Sequence, residues 1–96
     1  MNKLSPMHPG EVLREEFLAP LKISAIKLAA RCRVPRTRIE RLVAEETGVT
    51  ADTALRLGKA LGTSPEFWLN LQSRFDVLTA QKSIGRELNK IEPVAA

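Results

Sequence analysis

An all-α fold of five helices is predicted by three observations. Apolar residues recur at helical spacing in five successive stretches, each stretch opens on a cap or proline, and strand-like alternation is absent. The 96 residues suffice for one modest core, and 44% hydrophobic with 27% charged residues is the balance of a chain that folds. The organisation expected is a flexible N-terminus over residues 1–7, one domain over 8–80, and a C-terminal helical extension or disordered tail over 81–96.

The first helix is expected over 9–18. Pro9 suits a first helical turn because its missing N–H costs nothing there, Val12, Leu13 and Phe17 follow at helical spacing, and Pro20 interrupts. Ser24 is an N-cap for a short second helix that ends near Cys32, with Ile26, Leu28 and Ala29 as its apolar face. Pro35 at a first helical position opens the third, where Ile39, Leu42 and Val43 pack inward and the arginines point outward. Thr50 caps the fourth, whose apolar residues are Ala54, Leu55, Leu57, Ala60 and Leu61, and Gly62 takes the left-handed conformation past its end. Ser64-Pro65-Glu66 opens the fifth, in which Trp68, Leu71, Phe75 and Leu78 trace one stripe that weakens after Ala80.

Charge is distributed unevenly. The chain carries fifteen Lys and Arg against eleven Asp and Glu, yet the segment from Lys22 to Arg41 holds seven bases and one acid, so +6 sits there and −2 on the rest. A basic segment on a mildly acidic body is what a polyanion-binding surface requires, because Lys and Arg near phosphates release condensed counterions. Two short helices joined by a tight turn match the geometry of a helix-turn-helix, in which the second helix enters the major groove. Leu28, Ala29, Val34 and Ile39 are placed where the helices touch. Arg36, Thr37 and Arg41 then project from one exposed region as base readers, since Arg offers two donors to guanine O6 and N7 and Thr a hydroxyl and a methyl. Ser24, Lys27, Arg33 and Arg38 are cast as phosphate contacts.

Other chemistry is not expected. Cys32 is the one cysteine and His8 the one histidine, so neither an internal disulfide nor a metal cluster can be assembled, and no cofactor is implied. Cys32 is read as a semi-buried, inert small hydrophobe and His8 as a surface or helix-cap residue. No paired carboxylates, nucleophile–base pair or phosphate-cradling glycine loop is present, which argues against an enzyme and against a small-molecule substrate. No apolar run is long enough to span a membrane, and a reducing cytoplasm is the expected compartment. Glu11, Glu15 and Glu16 favour the positive end of the first helix; an acidic face that attracts a basic protein partner is their functional reading.

Four motifs occur in order: His8-Pro9-Gly10-Glu11-Val12-Leu13-Arg14-Glu15-Glu16-Phe17-Leu18; Val34-Pro35-Arg36-Thr37-Arg38-Ile39; Gly48-Val49-Thr50-Ala51-Asp52-Thr53-Ala54-Leu55-Arg56-Leu57; and Leu61-Gly62-Thr63-Ser64-Pro65-Glu66-Phe67-Trp68-Leu69-Asn70-Leu71-Gln72. In these the chain resembles the Xre/HigA family of helix-turn-helix antitoxins, also known as virulence-associated protein I. The resemblance implies a phage-repressor-like domain of five helices, a homodimer on palindromic double-stranded operator DNA, and a cognate HigB-like toxin that cleaves mRNA on the ribosome. Dimerisation would place two recognition helices on half-sites about 34 Å apart, with Trp68, Leu71, Phe75 and Leu78 as the expected interface. A stand-alone repressor, or a toxin-binding module that has lost DNA binding, are the alternative readings.

The chain departs from that family at two places. Arg33 stands where a turn glycine is usual, and holding a non-glycine residue at positive φ costs on the order of 1 kcal/mol, so a slightly reshaped turn is expected. After the recognition helix, Ala44-Glu45-Glu46-Thr47 replaces an Asn-Gly followed by bases. Two acids there are expected to repel DNA and flatten the salt dependence of binding without erasing base preference.

Overall fold

A computed structural model describes residues 7–95. The expected flexible N-terminus therefore lies outside the described residues, except for Met7, which is exposed. Among the described residues there are five helices and no strand. We number them α1 (residues 9–21), α2 (Ala25–Cys32), α3 (Arg36–Val43), α4 (Ala51–Leu61) and α5 (Pro65–Leu88).

α1 is one continuous helix in three windings: α-helical over Pro9–Val12, π-helical over Leu13–Leu18 and α-helical again over Ala19–Leu21. Pro20 does not end it, contrary to expectation. The Ala19 N–H reaches back five residues to the Arg14 carbonyl, and this widened turn accommodates a residue whose ring would otherwise strike the preceding turn. The helix opens on His8, whose Nδ1 accepts the Gly10 N–H at 2.8 Å. His8 is a cap, as one of its two readings had it, but a buried one, with its ring edge-on to Phe75 at 4.8 Å.

Ser24, Thr50 and Ser64 cap α2, α4 and α5, each hydroxyl accepting the N–H three residues on, from Lys27, Thr53 and Phe67. Pro35 is itself the N-cap of α3, in extended conformation, so that helix begins one residue later than expected and has no side-chain cap. The first four helices all end at a left-handed residue: Lys22, Arg33, Glu45 and Gly62. Only one of these is the glycine that such an ending favours. In each the next residue's N–H closes back over the turn, to Leu18, Ala29, Arg41 and Gly58 respectively.

The core is built from Val12, Leu13 and Leu18 of α1, Leu28, Ala29 and Cys32 of α2, Ile39 and Leu42 of α3, Val49, Ala54 and Leu57 around α4, and Trp68 of α5. Ile26 and Leu55, expected on apolar faces, are instead exposed. Their helices are too short to bury more than one side, and these two side chains stand on the outer one. Trp68 is completely buried against Phe17 and Phe67, with its indole N–H donating to Thr63 Oγ1 at 2.7 Å.

α5 continues past the expected weakening at Ala80 to Leu88, with one non-helical residue, Ile84, beside Gly85. It contributes only Trp68 to the buried core, so its C-terminal half extends away from the bundle and draws the molecule out to 52 × 29 × 21 Å.

Candidate nucleic-acid interface

The site is the α2–turn–α3 unit. Residues 33–35 connect the helices: Arg33 is left-handed (φ 60°, ψ 45°), Val34 half-buried and Pro35 extended. The turn is not reshaped by the arginine; Arg33 occupies the glycine conformation itself and its N–H closes α2 onto Ala30. Leu28, Ala29 and Ile39 are fully buried at the contact between the helices, with Val34 packed beside them. With Ile39 and Leu42 holding one side of α3 against the core, helical periodicity turns Arg36, Thr37, Arg38 and Arg41 outward, and all four are exposed.

An open groove of about 540 Å³ runs between α3 and the start of α4. Thr37, Arg38 and Arg41 line one side; Thr47, Gly48, Thr50 and Arg56 line the other. The second wall is not singled out in the sequence, where Thr50 reads only as a cap and Arg56 is given no role of its own. The signal for Arg56 was its spacing four residues after Asp52. Of the residues cast as phosphate contacts, Arg38 lies in this groove, whereas Lys27 and Arg33 line two neighbouring clefts of about 220 and 460 Å³. Ser24 is engaged as the cap of α2.

Carboxylates of the chain accompany most of these cations. Arg36 Nε lies 3.9 Å from Glu40, Arg41 Nε 3.7 Å from Glu46, and Arg38 is hydrogen-bonded to Asp52. Arg56 bridges the same Asp52 at 2.9 Å and the carbonyl of Cys32 at 2.8 Å, tying α4 to the end of α2. The two arginines, Arg38 first, hold the Asp52 carboxyl below its ordinary value. Burial pushes the Cys32 thiol up, in keeping with an inert role.

Glu45 does not face the interface as a free charge. Arg14 reaches from α1 to Glu45 at 3.2 Å and donates to the carbonyl of Val43, the last residue of α3. The same guanidinium meets Glu15 at 3.0 Å, so one of the three acids read as a possible protein-binding face is already paired. Each acid of 45–46 thus faces an arginine of its own chain, Glu45 facing Arg14 and Glu46 facing Arg41.

The stripe expected at a dimer interface divides. Trp68 is unavailable to a second copy because it is buried in its own chain, while Leu71, Phe75 and Leu78 are half-buried. Among the described residues no helix is long and apolar enough to cross a membrane.

Comparison with known proteins agrees with this geometry. The helix-turn-helix family profile matches residues 13–68. Virulence-associated protein I of Dichelobacter nodosus is 42% identical over 98% of this chain and 86% of its own length. The solved structure of Pseudomonas aeruginosa antitoxin HigA with the higBA promoter superposes with a TM-score of 0.89 at 42% identity, covering 93% of this chain and 98% of that one. Antitoxin GraA in complex with its operator superposes with a TM-score of 0.90 at 43% identity, covering all of this chain and 98% of that one. From its recognition helix and from these likenesses alike, the chain belongs to the Xre-type helix-turn-helix family, in the group that contains virulence-associated protein I and the HigA antitoxins.

Proposed function

We propose that this protein is a sequence-specific DNA-binding antitoxin that represses its own operon and neutralises a HigB-like mRNA-cleaving toxin. The observation that carries the reading is the outward presentation of Arg36, Thr37 and Arg41 from a helix whose other side is anchored by Ile39 and Leu42. It is supported by relatives solved with promoter and operator DNA at 42–43% identity. In this reading Arg36, Thr37 and Arg41 read base edges, and Ser24, Lys27, Arg33 and Arg38 hold phosphates. The protein acts in the cytoplasm as a binding protein without catalytic activity of its own.

A homodimer gives two recognition helices and doubles the sequence read. Its pairing surface is the outer half of α5, where Leu78 is half-buried and Val77, Ile84 and Leu88 are exposed.

The test is binding to the DNA upstream of the protein's own gene, titrated across salt, with Arg36→Ala and Arg38→Ala beside the wild type. Arg36→Ala is expected to lose about 1–3 kcal/mol on the operator and little on random duplex. Arg38→Ala should weaken both alike and lower the salt slope by about one. No preference for the operator at low salt would overturn DNA binding. Failure of a co-expressed HigB-like toxin from the neighbouring gene to co-purify, or to be neutralised, would overturn the antitoxin assignment.

A further inference from the structure

We infer that Glu40 and Glu46 are positioning residues for base reading: each attracts one reading arginine on its Nε side and discourages that arginine from binding phosphate. The inference rests on the DNA-binding reading above and concerns what sets its specificity.

Both arginines assigned to base reading stand beside a carboxylate of their own chain, and both are approached at the same atom. Arg36 Nε is 3.9 Å from Glu40 Oε1, and Arg41 Nε is 3.7 Å from Glu46 Oε1. These separations are beyond hydrogen-bond reach, so the attraction is Coulombic. Of the cations assigned to phosphate, Lys27 and Arg33 have no ion-pair partner among the described residues, whereas Arg38 is paired through its Nη1 end with Asp52 rather than at Nε.

The backbone holds both acids in place. Glu40 follows Arg36 by one helical turn and is half-buried. Glu46 is brought back over the end of α3 because Glu45 is left-handed (φ 64°), which lets the Glu46 N–H donate to the carbonyl of Arg41 at 2.9 Å. The residue whose side chain faces Arg41 is thus hydrogen-bonded to the backbone of Arg41 as well.

A guanidinium has an Nε–H on one edge and a pair of Nη groups at its end. A carboxylate at Nε leaves the end free, and the end is what matches O6 and N7 of guanine. The two kinds of DNA contact then respond differently. A phosphate is an anion, so a carboxylate beside the arginine partly neutralises the cation and repels the incoming group. Guanine's acceptors are neutral and meet no such repulsion. Glu40 and Glu46 therefore weaken contacts to random duplex more than contacts to the operator. Glu46, which follows the recognition helix, acts here as a source of discrimination, whereas Glu45 is taken up by Arg14.

Glu40→Gln, Glu46→Gln and the double variant test this, each titrated against operator and random duplex of equal length over a range of salt. A Glu16→Gln/Glu92→Gln double variant changes net charge equally at two exposed sites without an ion pair. Circular dichroism and thermal midpoints confirm folding. Random-duplex binding should strengthen about threefold per pair removed, from the energy of an exposed ion pair. Its salt slope should steepen, and the operator-to-random ratio should fall by a similar factor, while the control leaves the ratio unchanged. A ratio unchanged in the Glu40 and Glu46 variants, or lowered equally in the control, overturns the inference while leaving the DNA-binding reading intact. A wild type with no operator preference overturns both.

Discussion

The carboxylate of Asp52, on the first turn of α4, is shared by Arg38 of the recognition helix and Arg56 of its own helix. Because Arg56 also donates to the Cys32 carbonyl, the pair couples the position of α3 to the end of α2. Asp52 is held below its ordinary value of 3.8, by Arg38 and then Arg56, so its stabilising effect has a defined acid limit. The folded value is the lower one. The stabilisation is therefore complete above the unfolded value and lost as pH falls through the folded one. Asp52→Asn should melt slightly below wild type at neutral pH, and the gap should begin to close only as pH falls below the ordinary value of 3.8 and vanish once it passes the lower folded value. The gap should also narrow in high salt, because the site is exposed. Melting curves from pH 7 to 2 check this, and a pH-independent gap would contradict it.

Arg33 occupies a conformation that disfavours any side chain, with φ at 60°. Arg33→Gly should stabilise the fold by about 1 kcal/mol, which for a domain of this size raises the midpoint by about 4–8 °C. If Arg33 also holds a phosphate, the same variant loses about one unit of salt slope in DNA binding. Thermal melting and DNA titration would then move in opposite directions. A variant no more stable than wild type would mean that the arginine side chain compensates for the strain.

How much of this was legible in the sequence depended on the range of the interaction involved. The caps Ser24, Thr50 and Ser64 and the ending at Gly62 act within a few residues, and each was readable. The exposed side of α3 was readable for the same reason, since burying Ile39 and Leu42 fixes where Arg36 and Arg41 point. What escaped was set at a distance. His8 is buried by Phe75, and Arg14 anchors the end of α3 at Val43 and Glu45, contacts between separate elements that no local pattern encodes. Pro20 escapes a local reading because its accommodation depends on a five-residue backbone turn that begins at Arg14. Ile26 and Leu55 show that apolar character alone does not say which side of a helix faces inward.

Gly10 marks a backbone contact of the same long-range kind. A Cβ there would stand 1.8 Å from the Leu42 carbonyl oxygen, so the start of α1 meets the end of the recognition helix with no room for a methyl group. Gly10→Ala should cost about 3 kcal/mol, since backbone on both sides must shift. Gly85→Ala is the matching control, because nothing lies within 4 Å of its added Cβ. Removing a glycine from a helix should there stabilise by up to about 1 kcal/mol. Chemical denaturation of both variants measures the contrast, and equal midpoints would contradict the close approach.

The outer stripe of α5 offers the sharpest test of dimerisation. Val77, Ile84 and Leu88 are 52%, 45% and 41% exposed. Val77 follows Trp68 by nine residues and so stands on the side of the helix away from the one on which Trp68, Leu71 and Phe75 face their own core, while Ile84 and Leu88 lie at and beyond the break at Ile84. A carboxylate at two of these positions cannot be buried without a partner, so it opposes pairing but leaves the monomer's core untouched. Val77→Glu/Ile84→Glu should therefore sediment as a monomer with unchanged helical content. Operator binding should weaken in parallel, because each half-site must then be bound independently. Trp68→Ala should behave in the opposite way: truncating a buried tryptophan costs about 3–5 kcal/mol and unfolds much of the domain. A dimer that survives both glutamates with its affinity unchanged would move the interface off α5.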